Sequence, residues 1–206
     1  MSESKAQPTA LRRSDDRWVR GEYTDDELTA ALLANGMAGE VSHDRANVWG
    51  KVQRLVTGDP DVTFGLSGMT RYEAREVIGL VARAIDFAVE PNFLDGPTVI
   101  EPATILQALH EAGDRLALAA DRGEEVLIAT GHPVGMVMLY IEVARELSRR
   151  GAKLLRPLEG FRWRELGRSR QIRYLHGVGV LTDRASSLHT HSPGPMERML
   201  GEVEPD

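Results

Sequence analysis

Cysteine is absent from all 206 residues. That excludes cysteine-nucleophile phosphatases, thiolate-held zinc and disulfide frameworks, and it fits a reducing compartment. No stretch approaches the roughly 20 apolar residues needed to cross a bilayer. Residues 1–20 are polar and charged and lack the apolar run of a secretory signal. The expectation is a cytoplasmic protein whose residues 1–20 form a mobile tail. Positive charge is in deficit, with 25 Lys and Arg against 31 Asp and Glu and a net charge of −6. That disfavours a nucleic-acid platform, and for want of an apolar span no membrane partner is expected. There is no internal repeat and no low-complexity tract.

What is present suits an ordinary globular α/β chain. The expected architecture is a helical first half, residues 21–125, packed on a small, mainly parallel sheet of Rossmann-like βαβ type in residues 126–206, with 21–206 forming one structural domain. Thr24 followed by Glu27 three residues later has the form of a capping box, opening a helix that stops near Asn35-Gly36. A second helix is expected over residues 42–56 and a third over residues 71–89, capped by Thr70. After a loop over 91–97, a fourth begins at Glu101-Pro102 and buries Ile105, Leu109, Leu116 and Leu118.

At Val126 the pattern changes. Residues 126–130 form a continuous apolar run suited to a buried strand. A helix over residues 133–150 ends in two arginines and Gly151, and residues 152–155 form a second apolar run. Strand, helix and strand in about 30 residues make a βαβ unit with parallel strands. A further strand or hairpin is expected over 170–183, and a short helix after Pro193.

Two segments carry the candidate chemistry. In Thr130-Gly131-His132-Pro133 a glycine permits close backbone approach, and a histidine precedes the expected helix start, where free N–H groups favour an anion. The plain alternative is a tight turn with a locally bonded histidine. In His189-Thr190-His191-Ser192-Pro193 an extended backbone puts both imidazoles on one side, and Asp183 lies six residues earlier. The plain alternative there is a surface loop. Ser192 is the expected cap of the last helix. Six arginines from Arg156 to Arg173 interleave with Phe161 and Trp163. Most read as the exposed face of a hairpin, with one or two able to reach a phosphate. His176 reads as a hydrogen-bonded core residue rather than a ligand.

The ordered motifs Ala129-Thr130-Gly131-His132-Pro133, Lys153-Leu154-Leu155-Arg156-Pro157, Gly177 to Asp183, and His189 to Pro193 resemble an actinobacterial family whose members are described as phosphatases. The resemblance is close from Val126 onward and looser before it, and it implies His132, Asp183, His189 and His191 as site residues. Members of that family continue into another strand and an Asp-His-Gly segment, so a shortened chain with weak or absent hydrolysis is expected. An exposed apolar patch or a homodimer is expected to cover the gap.

The resulting expectation is a metal-assisted phosphatase for a small phosphorylated metabolite. His132 and Asp183 would be catalytic, Thr130, Gly131, His132 and Ser192 would bind phosphate, and His189, His191 and Asp183 would hold Mg²⁺, Mn²⁺ or Zn²⁺. The alternative is a non-catalytic sugar-phosphate or nucleotide-binding protein using the same segments. No Gly-x4-Gly-Lys-Ser/Thr loop occurs, and an aspartyl-phosphate mechanism of the haloacid-dehalogenase type is not expected.

Overall fold

A computed structural model describes Gly21, residues 23–85 and residues 92–203. The expected tail, the end of the third helix beyond Ile85, and residues 204–206 lie outside the described residues. The chain divides into two compact units, Met1–Thr57 with Thr70–Glu111, and Gly58–Met69 with Ala112–Asp206. Secondary structure is a mixture of helices and strands in both.

In the first unit, helix α1 (Asp25–Ala34) begins as its sequence dictates. The Thr24 hydroxyl accepts from the Glu27 N–H at 3.2 Å, and the Glu27 carboxylate accepts from the Thr24 N–H at 3.0 Å. Strand β1 (Gly39–Asp44) follows, so the second helix does not start at Ser42. It is α2 (Arg45–Val56), because the Asp44 carboxylate caps it, accepting from the Asn47 N–H at 2.7 Å. Thr70 lies inside a single 3-10 turn, Met69–Arg71, and the following helix starts only at Ala74. There Glu76 accepts from the Glu73 N–H at 2.8 Å. Val52 packs with Val77 and Ile78 of that helix (Ala74–Ile85). Strand β2 (Pro97–Ile100), within and after the expected loop, pairs antiparallel with β1.

The long helix Pro102–Asp121 begins at the expected proline and runs through both units. Its buried stripe matches the expected one in part: Ile105 and Leu116 pack against the core, while Leu118 is exposed. Leu106 packs with Leu32 and Ala38, while Leu109 is 56% exposed.

The second unit holds the site. The 126–130 run forms β3 (Glu125–Val126) and β4 (Ile128–Ala129), which share one continuous stretch but pair with different neighbours. Strand β3 pairs in parallel with β5 (Lys153–Leu154), with Val126 opposite Leu154. The helix between them is Val137–Arg150, closed at Gly151 in the left-handed conformation. Strand β4 pairs in parallel with β8 (Val178–Asp183), and β8 continues antiparallel to β7 (Arg168–Leu175) and β7 to β6 (Arg162–Glu165).

The mainly parallel, Rossmann-like sheet is therefore corrected to a mixed, mostly antiparallel one. The cause is local. Leu166-Gly167 and His176-Gly177 are two-residue loops with positive φ at both positions. That is the backbone of a type I′ turn, which folds a chain back on itself as a hairpin. His176 is thus an exposed turn residue and not a core one.

Side chains alternate across this sheet. Val178 and Val180 pack on Val137, Ile141 and Ala144 of the crossover helix. On the other face Ile172 and Tyr174 pack with Met199 of the last helix, Gly194–Leu200.

Candidate active site

Strand β7 occupies one edge of β8 along its length, so β4 and the short strand β9 (Ser186–Ser187) share the other edge. Strand β4 lies beside Val178 and Gly179 and runs forward; β9 lies beside Thr182 and Asp183 and runs back. The two chains meet midway along the edge. Thr130 donates to the Gly179 carbonyl at 3.0 Å, Leu188 donates to Leu181 at 2.8 Å, and Thr190 donates to Gly131 at 3.0 Å. His132 and the His189–His191 pair are delivered to the same place by this meeting.

Two hydroxyls stiffen the meeting chains in the same way. Thr130 Oγ1 accepts from the His132 N–H and Thr190 Oγ1 from the Ser192 N–H, each at 3.0 Å. Gly131 is required by space. A Cβ there would lie 2.2 Å from the Thr190 carbonyl oxygen.

One ligand atom from each of His132, His189 and His191 lies within 4.8 Å of the other two. The His189 and His191 Nε2 atoms are 3.0 Å apart, and the His132 and His189 rings are 4.3 Å between centroids. His191 Nδ1 lies 2.8 Å from the Asp61 backbone carbonyl. A carbonyl only accepts, so Nδ1 carries the proton and Nε2 keeps its lone pair toward the cluster. Metal-binding histidines are held in this manner, with the second ring nitrogen donating to a backbone carbonyl.

The donor set fits a metal. Bonds of about 2.0–2.1 Å from nitrogen to zinc place two ligands of one ion roughly 3 Å apart, which the His189–His191 spacing already satisfies.

Other expected site residues fall differently. Asp183 ends β8, opposite Ser186, and is not part of the histidine cluster, which among the described residues holds no carboxylate. The crossover helix starts at Val137, so Pro133 is not its first residue. A turn separates it from His132, with Met136 donating to the His132 carbonyl at 3.2 Å. Ser192 is not the cap of the last helix; Pro193 holds that position, and Ser192 Oγ accepts from the Gly194 N–H at 3.3 Å. Thr130, Gly131, His132, His191 and Ser192 line one cavity of about 210 Å³. The arginines of the hairpin lie outside that cavity, and Arg170 is tied to Glu165 at 3.1 Å.

A third wall was missed from the sequence. Asp59 accepts from the Asp61 N–H and caps the short helix Pro60–Thr63, after which Phe64 and Gly65 take positive φ. The Phe64 ring lies 4.7 Å from His191, and a Cβ on Gly65 would come within 2.4 Å of Pro193. The signal was available. Asp59-Pro60-Asp61-Val62-Thr63 carries the Asp-x-Asp-x-Thr spacing, overlooked in the expectation above. Its structural setting differs from an aspartate displayed at the end of a parallel strand: helix α2 precedes it, and the Asp59 carboxylate is engaged as a cap.

The chain matches the family described as Phosphatase over residues 23–206, and it belongs to that family. It is 31% identical, over 187 residues, to Phosphatase SCO2771 of Streptomyces coelicolor, a span covering 90% of this chain and 70% of that relative. No solved structure matches it. No helix among the described residues is long and apolar enough to cross a membrane.

Proposed function

We propose that this chain hydrolyses a small phosphate monoester at the edge of β8, with His132, His189 and His191 holding one divalent metal ion. The observation that carries the reading is the three-histidine cluster, in which the Asp61 carbonyl fixes the His191 tautomer. Family membership supplies the reaction class. Three imidazoles suit zinc or a similar transition metal and not magnesium, which prefers oxygen. When bound, such an ion supplies Lewis-acid polarisation of the phosphoryl group and an acidified water.

The remaining work belongs to the chain. The Thr130 and Ser192 hydroxyls each already accept a backbone N–H, which leaves their own protons to donate to phosphate oxygens. The His189 and His191 Nε2 atoms, 3.0 Å apart, would both have to present lone pairs to hold an ion, with the His189 proton then on Nδ1. The reading assigns Asp183 no part in holding the metal.

The absence of a carboxylate beside the histidines, among the described residues, favours a second reading, a metal-bound phosphate binder without turnover. Metal analysis and phosphate release, run together on the purified chain, decide between them. One zinc per chain, lost in H132A, H189A and H191A, with metal-dependent phosphate release is the expected result. Stoichiometric metal with no release from any ester would support the binder. No stoichiometric metal in a folded sample would overturn both.

A further inference from the structure

The cavity beside the histidines is lined by two different surfaces. Its mouth carries Thr130, His132, His191 and Ser192, while Ile172, Leu181, Met196 and Met199 line its apolar part. Cross-strand register explains the apolar part. Ile172 stands opposite Leu181, and Tyr174 opposite Gly179, so these four positions share the face covered by the last helix. Gly179 adds only backbone to the lining, and Ala129 and Tyr174 already crowd the place its side chain would take. Ile172 and Met199 are buried, so the cavity reaches the core on this side of the sheet.

We infer that this cavity takes the leaving group of the ester, and that the leaving group is a compact hydrocarbon or an aromatic ring, not a sugar or nucleoside. The inference rests on the hydrolase reading for the word leaving group, but not for the binding it describes. A volume of about 210 Å³ exceeds the roughly 150 Å³ that suffices to bind benzene in an apolar protein cavity. Sugar hydroxyls placed among Ile172, Leu181, Met196 and Met199 would lose their water partners and find none in return. Among the described residues, the only hydroxyls lining the cavity belong to Thr130, Thr190 and Ser192, and in this reading the Thr130 and Ser192 hydroxyls take the phosphate. A phosphate held by the mouth therefore points its ester oxygen toward hydrocarbon.

The test uses alkylphosphonates, which mimic the ester but cannot be cleaved at carbon–phosphorus, so turnover does not enter. Binding of methyl-, propyl- and hexylphosphonate to the zinc-loaded full chain is measured by calorimetry beside glucose 6-phosphate. Each buried methylene is worth about fourfold in affinity, so hexylphosphonate should bind at least about tenfold tighter than methylphosphonate, with a more negative heat-capacity change. M196W, which fills the apolar part, should flatten the series; the wild-type series stands alone if that variant does not fold. Equal binding across the series, or tighter binding of the sugar phosphate, overturns the inference. Failure of every phosphate ester to turn over, with the chain-length series intact, would remove the hydrolase reading and leave the apolar pocket standing.

Discussion

Gly131 and Thr190 meet backbone to backbone. The Thr190 N–H donates to the Gly131 carbonyl at 3.0 Å, and a methyl group on Gly131 would overlap the Thr190 carbonyl oxygen. Through this contact one histidine-bearing chain registers the other, because His132 follows Gly131 and His189 and His191 flank Thr190. G131A should therefore separate the two chains. The expected loss is about 1–3 kcal/mol of stability from overpacking, with zinc affinity falling at least tenfold. Equilibrium unfolding and a competitive zinc titration measure the two. Unchanged zinc affinity would show that the contact does not hold the cluster.

The capping box at Thr24, the β3–helix–β5 unit and the candidate histidines were all legible because each is encoded within a few turns of chain. The β1–β2 ribbon was not, since Glu40, Ser42, His43 and Asp44 give β1 little apolar alternation to recognise. The long helix was placed correctly, and Ile105 and Leu116 face the core as expected, but Leu109 and Leu118 do not. Leu106 and Leu109 are equally apolar, and only the position of Leu32 and Ala38 selects the first. Leu166-Gly167 and His176-Gly177 were readable as hairpin loops. They were lost beneath the expectation that a βαβ unit would continue as a parallel sheet. The β8–β9 hairpin is local, but the pairing of β4 with the same edge of β8 is long-range with no local signature, and it is what brings the site together.

Asp183 stands at the end of β8 beside the β8–β9 turn, apart from the three histidines. D183N should leave zinc stoichiometry at one per chain and change stability by no more than about 0.5 kcal/mol, as for a surface substitution outside a network. H189A in parallel should lose the metal. Loss of zinc in D183N would return this carboxylate to the ligand set.

Tyr174 gives the molecule a distinct alkaline signature. Burial, reinforced by the Glu159 carboxylate and opposed by the Arg156 guanidinium, pushes its phenol up to about 12. Its hydroxyl donates to the Pro157 carbonyl at 3.0 Å. Because the folded value lies above the unfolded one of 10.0, the folded state holds this proton more tightly. The stabilisation is complete below about pH 10 and is lost as pH rises toward 12. An ultraviolet titration should show a late tyrosine ionisation, and Y174F should remove that step. Y174F should also cost about 1 kcal/mol near neutral pH through the orphaned carbonyl. A single common tyrosine transition in the folded wild type would contradict this.

Gly65 offers the sharpest separation of site from scaffold, because it is no ligand and lines no part of the metal cluster. Its φ is +85°, and a Cβ would lie 2.4 Å from Pro193 Cβ. The clash falls between the segment that supplies the Asp61 carbonyl and the chain that carries His191, two residues before Pro193. G65A must push these apart or twist Gly65 out of its left-handed conformation, and either movement lengthens the His191 Nδ1–H bond to Asp61. A loosened imidazole loses its fixed tautomer, and weakening an outer partner of this kind typically costs about 10–100-fold in metal affinity. G65A should therefore bind zinc at least about tenfold more weakly, with all three histidines still present. G167A, at a positive-φ position in the β6–β7 turn, is the control for strain alone. It should lower stability by about 1 kcal/mol with zinc affinity unchanged. Equal zinc affinity in G65A and the wild type would show that the Asp61 carbonyl does not govern His191.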